Sequence, residues 1–171
     1  NNFFLHKNFR VGKSLVEENT KSIVEDIYKK AKNNNCEILI PEDCMVGIDF
    51  DGTGENKNIE EIKDNEIILD IGKNTIKNIK KKIDQSNTVL WNGPAGYFEN
   101  DSFSKGTMSI AENISENTIK RSLISVLGGG DTLAAINKSK NKLSFSHLST
   151  AGGAFLEYLE GKDLPGISIL K

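Results

Sequence analysis

The sequence predicts an α/β fold in three layers, a parallel sheet with helices on both faces. Three observations carry that expectation. Short apolar runs alternate with segments of helical period, the pattern of βαβ units. Glycine-bearing turns follow three of the runs, after Trp91, after Leu127 and after Ser149. The chain, at 171 residues, is long enough for one domain with a sizeable core.

The elements follow in order. Asn1-Asn2-Phe3-Phe4-Leu5-His6 has neither a start Met nor a cap and reads as the interior of a longer chain. Ser14 to Lys32 reads as an amphipathic helix, with Ser14 and Glu17 as a capping box and Leu15, Ile23, Val24 and Ile27 as its apolar stripe. Glu37-Ile38-Leu39-Ile40 reads as a strand stopped by Pro41. The stretch 43–65 is mixed and turn-rich around Asp51-Gly52-Thr53-Gly54, with Cys44 to Ile48 as a passable strand. Ile67 to Ile71 is a strand closed by Gly72, and Asn74 to Ile83 is a basic helix. Thr88 to Trp91 is a strand, Ser104 to Glu116 a helix and Ser122 to Leu127 the central strand. A short helix to about Lys138, a strand from Ser144 to Ser149 and a helix from Phe155 to Glu160 complete the pattern. In doubly wound, Rossmann-like sheets of this kind a ligand sits outside the carboxyl ends of the strands, where the glycine turns fall.

Composition narrows the function. Lys and Arg number 22 against 24 Asp and Glu, for a formal net charge of −2, so nothing favours nucleic acid or an anionic membrane as a partner. The Lys-rich run from Lys73 to Lys82 reads as a solvated helix face. Cys36 and Cys44 match no zinc spacing and suit a reducing cytosol. No apolar run is long enough to span a bilayer, and no signal-peptide pattern opens the chain.

Two segments carry chemistry. Leu127-Gly128-Gly129-Gly130-Asp131-Thr132 joins a strand to a helix N-terminus. Glycines admit close backbone approach, and free N–H groups with the positive end of the helix dipole suit phosphate. Asp131 is a plausible N-cap and a natural partner for a nucleotide-bound Mg²⁺, and Thr132 could add a hydroxyl donor. In Asn92-Gly93-Pro94-Ala95-Gly96-Tyr97-Phe98-Glu99, a Gly-Pro turn leaves a strand and aims Asn92 and Glu99 toward the same edge. A carboxylate there can accept hydrogen bonds from two ribose hydroxyls. Two other motifs are decoys. Val11-Gly12-Lys13-Ser14 resembles the end of a P-loop, but Lys7 stands where its first glycine belongs. Asp49-Phe50-Asp51-Gly52-Thr53 resembles the nucleophile motif of haloacid-dehalogenase-type phosphatases, but Ala135 stands where a later Asp is needed.

Taken together the motifs resemble a known family. Trp91-Asn92-Gly93-Pro94 through Phe98-Glu99, then Gly128-Gly129-Gly130-Asp131-Thr132, then Ser146-His147-Leu148-Ser149-Thr150-Ala151-Gly152-Gly153-Ala154 are similar, in order and spacing, to phosphoglycerate kinase. The resemblance runs over essentially the whole chain. It implies that residues 1–171 are a partial C-terminal, nucleotide-binding domain, with a sheet truncated at its N-terminal side and the N-terminal substrate domain absent. It implies Mg-ATP or Mg-ADP as ligand and transfer of a phosphoryl group between 1,3-bisphosphoglycerate and ADP in glycolysis. The acceptor 3-phosphoglycerate would be bound through that N-terminal domain, so the fragment alone would be inactive. The complete enzyme would be a cytoplasmic monomer. By the same resemblance Glu99 contacts ribose, and Asn92 and Pro94 flank the nucleoside. Gly72 lines the adenine pocket, and Gly128, Gly129, Gly130, Asp131 and Thr132 hold the phosphates and metal. Gly152 and Gly153 stabilise the phosphoryl group in flight through backbone N–H groups. Ala151 and Lys73 stand where the family usually has Gly and Pro. The alternatives are a non-catalytic nucleotide-binding module working with a partner chain and a phosphatase using Asp49 as nucleophile.

Overall fold

The structure, a computed structural model, describes residues 1–170. The chain divides into two compact units, Asn1–Ile79 with Ala95–Gly106, and Lys80–Pro94 with the chain from Thr107 onward.

The first unit holds helices α1 (Asn2–His6) and α2 (Lys21–Asn33) and strands β1 (Asp43–Gly47), β2 (Glu55–Asn58) and β3 (Ile67–Ile71). Its sheet has the order β2-β1-β3, and both pairings are antiparallel. The expected parallel sheet therefore does not extend here. A short turn between β1 and β2 favours antiparallel pairing, because a parallel neighbour needs a long crossover. Phe4, Val11, Cys44, Val46 and Ile62 form the core, flanked by Phe9, Ile40, Ile59 and Ile68.

Two local expectations change in this unit. Residues 14–20 are not helical, and α2 begins at Lys21. Ser14 is buried, its hydroxyl donating to the Val11 carbonyl and accepting from Ile68 N–H at 2.8 Å. Glu17 N–H goes instead to Asn2 Oδ1 at 3.1 Å. Both ends of the expected capping box are thus claimed by distant partners. Within the expected stripe Val24 is buried, whereas Leu15, Ile23 and Ile27 are exposed. Residues 37–40 form no strand and belong to neither sheet. An apolar run becomes a strand only beside another ladder of N–H and C=O groups.

The second unit carries β4 (Thr88–Asn92), β5 (Ile124–Gly128), α5 (Gly130–Asn137), β6 (His147–Leu148), α6 (Gly153–Leu159) and α7 (Pro165–Ser168). Helix α3 (Lys73–Gln85) enters it from the first unit, as does α4 (Lys105–Arg121). Its sheet is parallel, in the order β4-β5-β6, with Asn92 opposite Gly128 and Leu127 opposite Leu148. Ile110, Ala111, Ile114, Leu123, Leu127 and Ala135 are buried. The strand expected over 144–149 contracts to β6 because serines take over its ladder bonds. Ser144 N–H donates to Ser115 Oγ at 2.8 Å and Ser146 N–H to Ser125 Oγ at 2.9 Å. Ser146 Oγ accepts from Ser125 N–H at 3.1 Å.

Candidate functional site

In the second unit the three glycine turns follow β4, β5 and β6, on neighbouring strands and at their carboxyl ends. The three central glycines do different work. A Cβ on Gly128 would lie 2.3 Å from the Phe155 ring, so Gly128 packs against α6. Gly129 is the N-cap of α5 at φ +93°, which a side chain would strain, and a Cβ there would come within 3.1 Å of the Asn92 amide. Gly130 has nothing within 4 Å of its Cβ position. Asp131, expected as the cap, sits instead in the first turn of α5 and is exposed. Gly129 takes the capping position because only glycine adopts that φ readily.

Thr132 points inward. It is fully buried, and its hydroxyl accepts from Gly93 N–H at 2.7 Å. Gly93 is also held at its carbonyl, which accepts from the Trp91 indole N–H at 2.7 Å. Thr132 thus ties the Asn92-Gly93-Pro94 turn to the first turn of α5. Beyond β6, Ser149 N–H bonds to Leu127 O at 2.7 Å, continuing the sheet into the last turn. Gly152 caps α6 at φ +57°, and both Gly152 and Gly153 have open space where a Cβ would be. In the three turns Gly93, Gly130, Gly152 and Gly153 are therefore open, with the exposed Asp131 carboxylate beside Gly130.

Gly72 and Glu99 belong to the first unit. Gly72 follows β3 and is buried against a carboxylate: a Cβ would lie 2.2–2.6 Å from Asp43. Asp43 is a remote cap for α3. Its Oδ1 accepts from Thr75 N–H at 2.8 Å and Thr75 Oγ1 at 2.7 Å, and its Oδ2 from Asn74 N–H at 3.0 Å and the Asn56 amide at 3.1 Å. Burial alone would raise this carboxyl, but the hydrogen bonds from Asn74, Thr75 and Asn56 together hold it below its ordinary range. Asp70, at the end of β3, is likewise buried. It accepts from backbone N–H groups, Gly106 at 2.7 Å and Ile71 at 2.8 Å. Burial pushes it up to about 6, and those two bonds do not offset the shift. Gly96 and Gly106 have no room for a side chain because an Asp70 carboxylate oxygen lies 2.4 Å and 2.2 Å from their respective Cβ positions.

Glu99 lies on the loop between these two glycines. Leu69 O accepts from Tyr97 N–H at 2.7 Å, fastening the loop to β3. Glu99, with Asp51, Tyr97, Asn100 and Asp101, lines an open cleft of about 440 Å³. Asp49 does not resemble a free nucleophile. Its Oδ1 accepts from Asp51 N–H at 3.2 Å and Gly52 N–H at 2.7 Å, closing a surface turn. Cys36 and Cys44 are free, and burial pushes the Cys44 thiol up to about 12, far from a reactive thiolate.

Among the described residues no group of three or more His, Cys, Asp or Glu gathers to hold a metal ion. The exposed Asp131 nevertheless fits a nucleotide-bound Mg²⁺, which takes one or two protein carboxylates and otherwise phosphates and water. Among the described residues no helix is long and apolar enough to cross a membrane.

No motif in the sequence singles out the buried carboxylates Asp43 and Asp70. One signal points to the first. Helix α3 opens on Gly72-Lys73-Asn74-Thr75, where Gly72 has no side chain to cap it, so a cap must come from elsewhere.

Comparison with known proteins places the chain. The phosphoglycerate kinase family model matches residues 1–162. The chain is 43% identical over 173 aligned residues to the phosphoglycerate kinase of Xanthobacter flavus, covering 100% of this chain and 44% of that protein. It is 41% identical to the phosphoglycerate kinase of the Wolbachia of Brugia malayi, again over 100% of this chain and 43% of that protein. The structure of phosphoglycerate kinase from Coxiella burnetii superposes with a TM-score of 0.90 at 40% identity, over 99% of this chain and 44% of that one. That from Pyrococcus horikoshii does so at 0.70 and 27% identity, over 97% of this chain and 41% of that one. The chain thus spans less than half the length of the relatives it matches, and throughout that span it belongs to the phosphoglycerate kinase family.

Proposed function

We propose that this chain is the C-terminal, adenine-nucleotide-binding part of a phosphoglycerate kinase. The whole protein transfers a phosphoryl group between 1,3-bisphosphoglycerate and ADP, and 3-phosphoglycerate is bound by segments outside these 171 residues. One observation supports the reading above others. Gly130, Gly152 and Gly153 present backbone to open space at the carboxyl edge of a parallel sheet, beside an exposed Asp131.

The roles follow from the chemistry of each group. Amide N–H groups of Gly129, Gly130 and the first turn of α5 bind phosphate oxygens. When bound, Mg²⁺ neutralises phosphate charge, and Asp131 is the carboxylate that holds it. Thr132 positions the turn through Gly93. Gly152 and Gly153 offer N–H groups to the transferring phosphoryl, whose charge spreads over its equatorial oxygens in the transition state. Glu99 accepts from ribose hydroxyls, Asn92 and Pro94 flank the nucleoside, and Gly72 borders the base. The same reading makes the complete enzyme a cytoplasmic monomer without nucleic-acid or membrane partners. Tested by themselves, the 171 residues bind nucleotide without turnover.

Calorimetric titration separates the two carboxylates. Glu99→Ala removes an acceptor for neutral hydroxyls, so affinity falls by roughly 1–3 kcal/mol whether or not Mg²⁺ is present. Asp131→Ala weakens Mg-ATP, but for metal-free ATP it removes a repelling charge, so affinity holds or rises. Equal losses for both variants under both conditions would reduce Asp131 to a helix-end acid.

A further inference from the structure

The Asp49–Thr53 turn takes no part in the roles above, yet one side chain ties it to the Glu99 loop. We propose that Asn100 is a positioning residue that holds Glu99 in its ribose-accepting place by fastening its loop to this turn. The proposal rests on Glu99 being the ribose contact.

The Asn100 amide spends both of its donors and one acceptor site on backbone. Its Nδ2 donates to Phe50 O at 2.8 Å and to Gly52 O at 3.0 Å. Its Oδ1 accepts from Ser102 N–H at 2.9 Å and so caps the 3₁₀ turn Asp101–Phe103. The turn it grips is itself closed by Asp49, and Gly52 lies so near that a Cβ would meet Asp49 Oδ1 at 2.8 Å. Phe50 and Tyr97 stack edge to face, with ring centroids 5.1 Å apart. Glu99 therefore stands between two fastened neighbours. Tyr97 is held by Leu69 O and Phe50, and Asn100 is held by the turn. An exposed carboxylate on a loop binds hydroxyls well only if its backbone is already ordered, because ordering on binding subtracts from affinity. The motif that mimics a phosphatase nucleophile thus becomes a brace.

The test uses the full chain and two probes, Mg-ATP and Mg-2′,3′-dideoxy-ATP. The wild type and Glu99→Ala set the scale of ribose discrimination. Asn100→Asp keeps the acceptor for Ser102 and the side-chain shape but loses both donors, and Asn100→Ser loses them without adding charge. Each is expected to weaken Mg-ATP about fivefold while dideoxy-ATP stays within about twofold of wild type, so that the ratio of the two falls toward that of Glu99→Ala. Phe50→Ala, which leaves the Asn100 bonds in place, is expected to move the ratio the same way by less, and it stands in if neither Asn100 variant folds. An unchanged ratio, or an equal loss for both probes, overturns the brace. A wild type that binds Mg-ATP without discrimination, or a Glu99→Ala whose ratio equals that of wild type, instead removes Glu99 from the ribose and the brace with it.

Discussion

Two groups of glycines, one in each unit, serve opposite purposes. In the first unit Gly72, Gly96 and Gly106 are glycines because buried carboxylates fill the space where their side chains would go. In the second, Gly130, Gly152 and Gly153 face nothing within 4 Å. One set exists for the protein's own packing and the other leaves backbone bare. A glycine turn is therefore evidence of a ligand only when its Cβ position is empty, and Gly128, filled by Phe155, shows that both kinds can sit in one triplet.

The contrast can be broken most forcefully at Asp43. Asp43→Ala strands the N–H groups of Asn74 and Thr75 and the Asn56 amide, and uncaps α3. The expected loss is roughly 2–4 kcal/mol, read from the shift in urea midpoint. Next comes Gly72→Ala, which forces a methyl into that carboxylate and is expected to cost about 1–3 kcal/mol.

Asp70 sharpens the comparison through pH. Its folded-state carboxyl lies at about 6 against an ordinary 3.8, so the folded chain binds its proton more tightly than the unfolded chain does. Its contribution is therefore greatest when the solution is acid and declines as pH rises from about 4 to about 6, by about 2–3 kcal/mol. Asp43, held low, works with the opposite sign: its stabilisation is present above the ordinary carboxylate value and is lost as pH falls through its depressed one. Asp70→Asn should flatten the slope between pH 4 and 6, while its single amide oxygen still accepts from one of the two backbone donors, Gly106 or Ile71. Unchanged pH dependence in that variant would mean that Asp70 is not the group responsible.

The smallest expected effect on stability is at Gly130. Gly130→Ala puts a better helix former at the first position of α5, with open space around it, so stability should rise or fall by less than about 1 kcal/mol. Mg-ATP affinity should nevertheless fall, because the methyl enters the space assigned to phosphate.

The same contrast explains what was legible in the sequence. Strands β3, β4 and β5 are apolar runs with glycine at or near their ends, and the turns after β4, β5 and β6 declare themselves through local residues. Strand β2, Glu-Asn-Lys-Asn, is an edge with no apolar pattern and cannot be read from periodicity. Ser14 sends the local signal of a helix start, but Val11 and Ile68 claim its hydroxyl, and the second of these lies far along the chain. The partners of Asp43 and Asp70 are likewise set by the fold, so the sequence marks at most that α3 needs a cap, not the residue that supplies it. Sequence distinguishes poorly between a glycine that packs and one that binds, because the atom that fills the space comes from elsewhere.

The most direct test of that distinction is a two-dimensional amide NMR titration of the full chain with Mg-ADP. The amides of Gly129, Gly130 and Asp131 are expected to shift strongly and saturably. Gly12, whose Cβ position is filled by the backbone of Glu66 and Lys63, is expected to stay put. Shifts confined to the first unit, or none at Gly130 while nucleotide binds, would contradict the assignment of the open glycines to the phosphates.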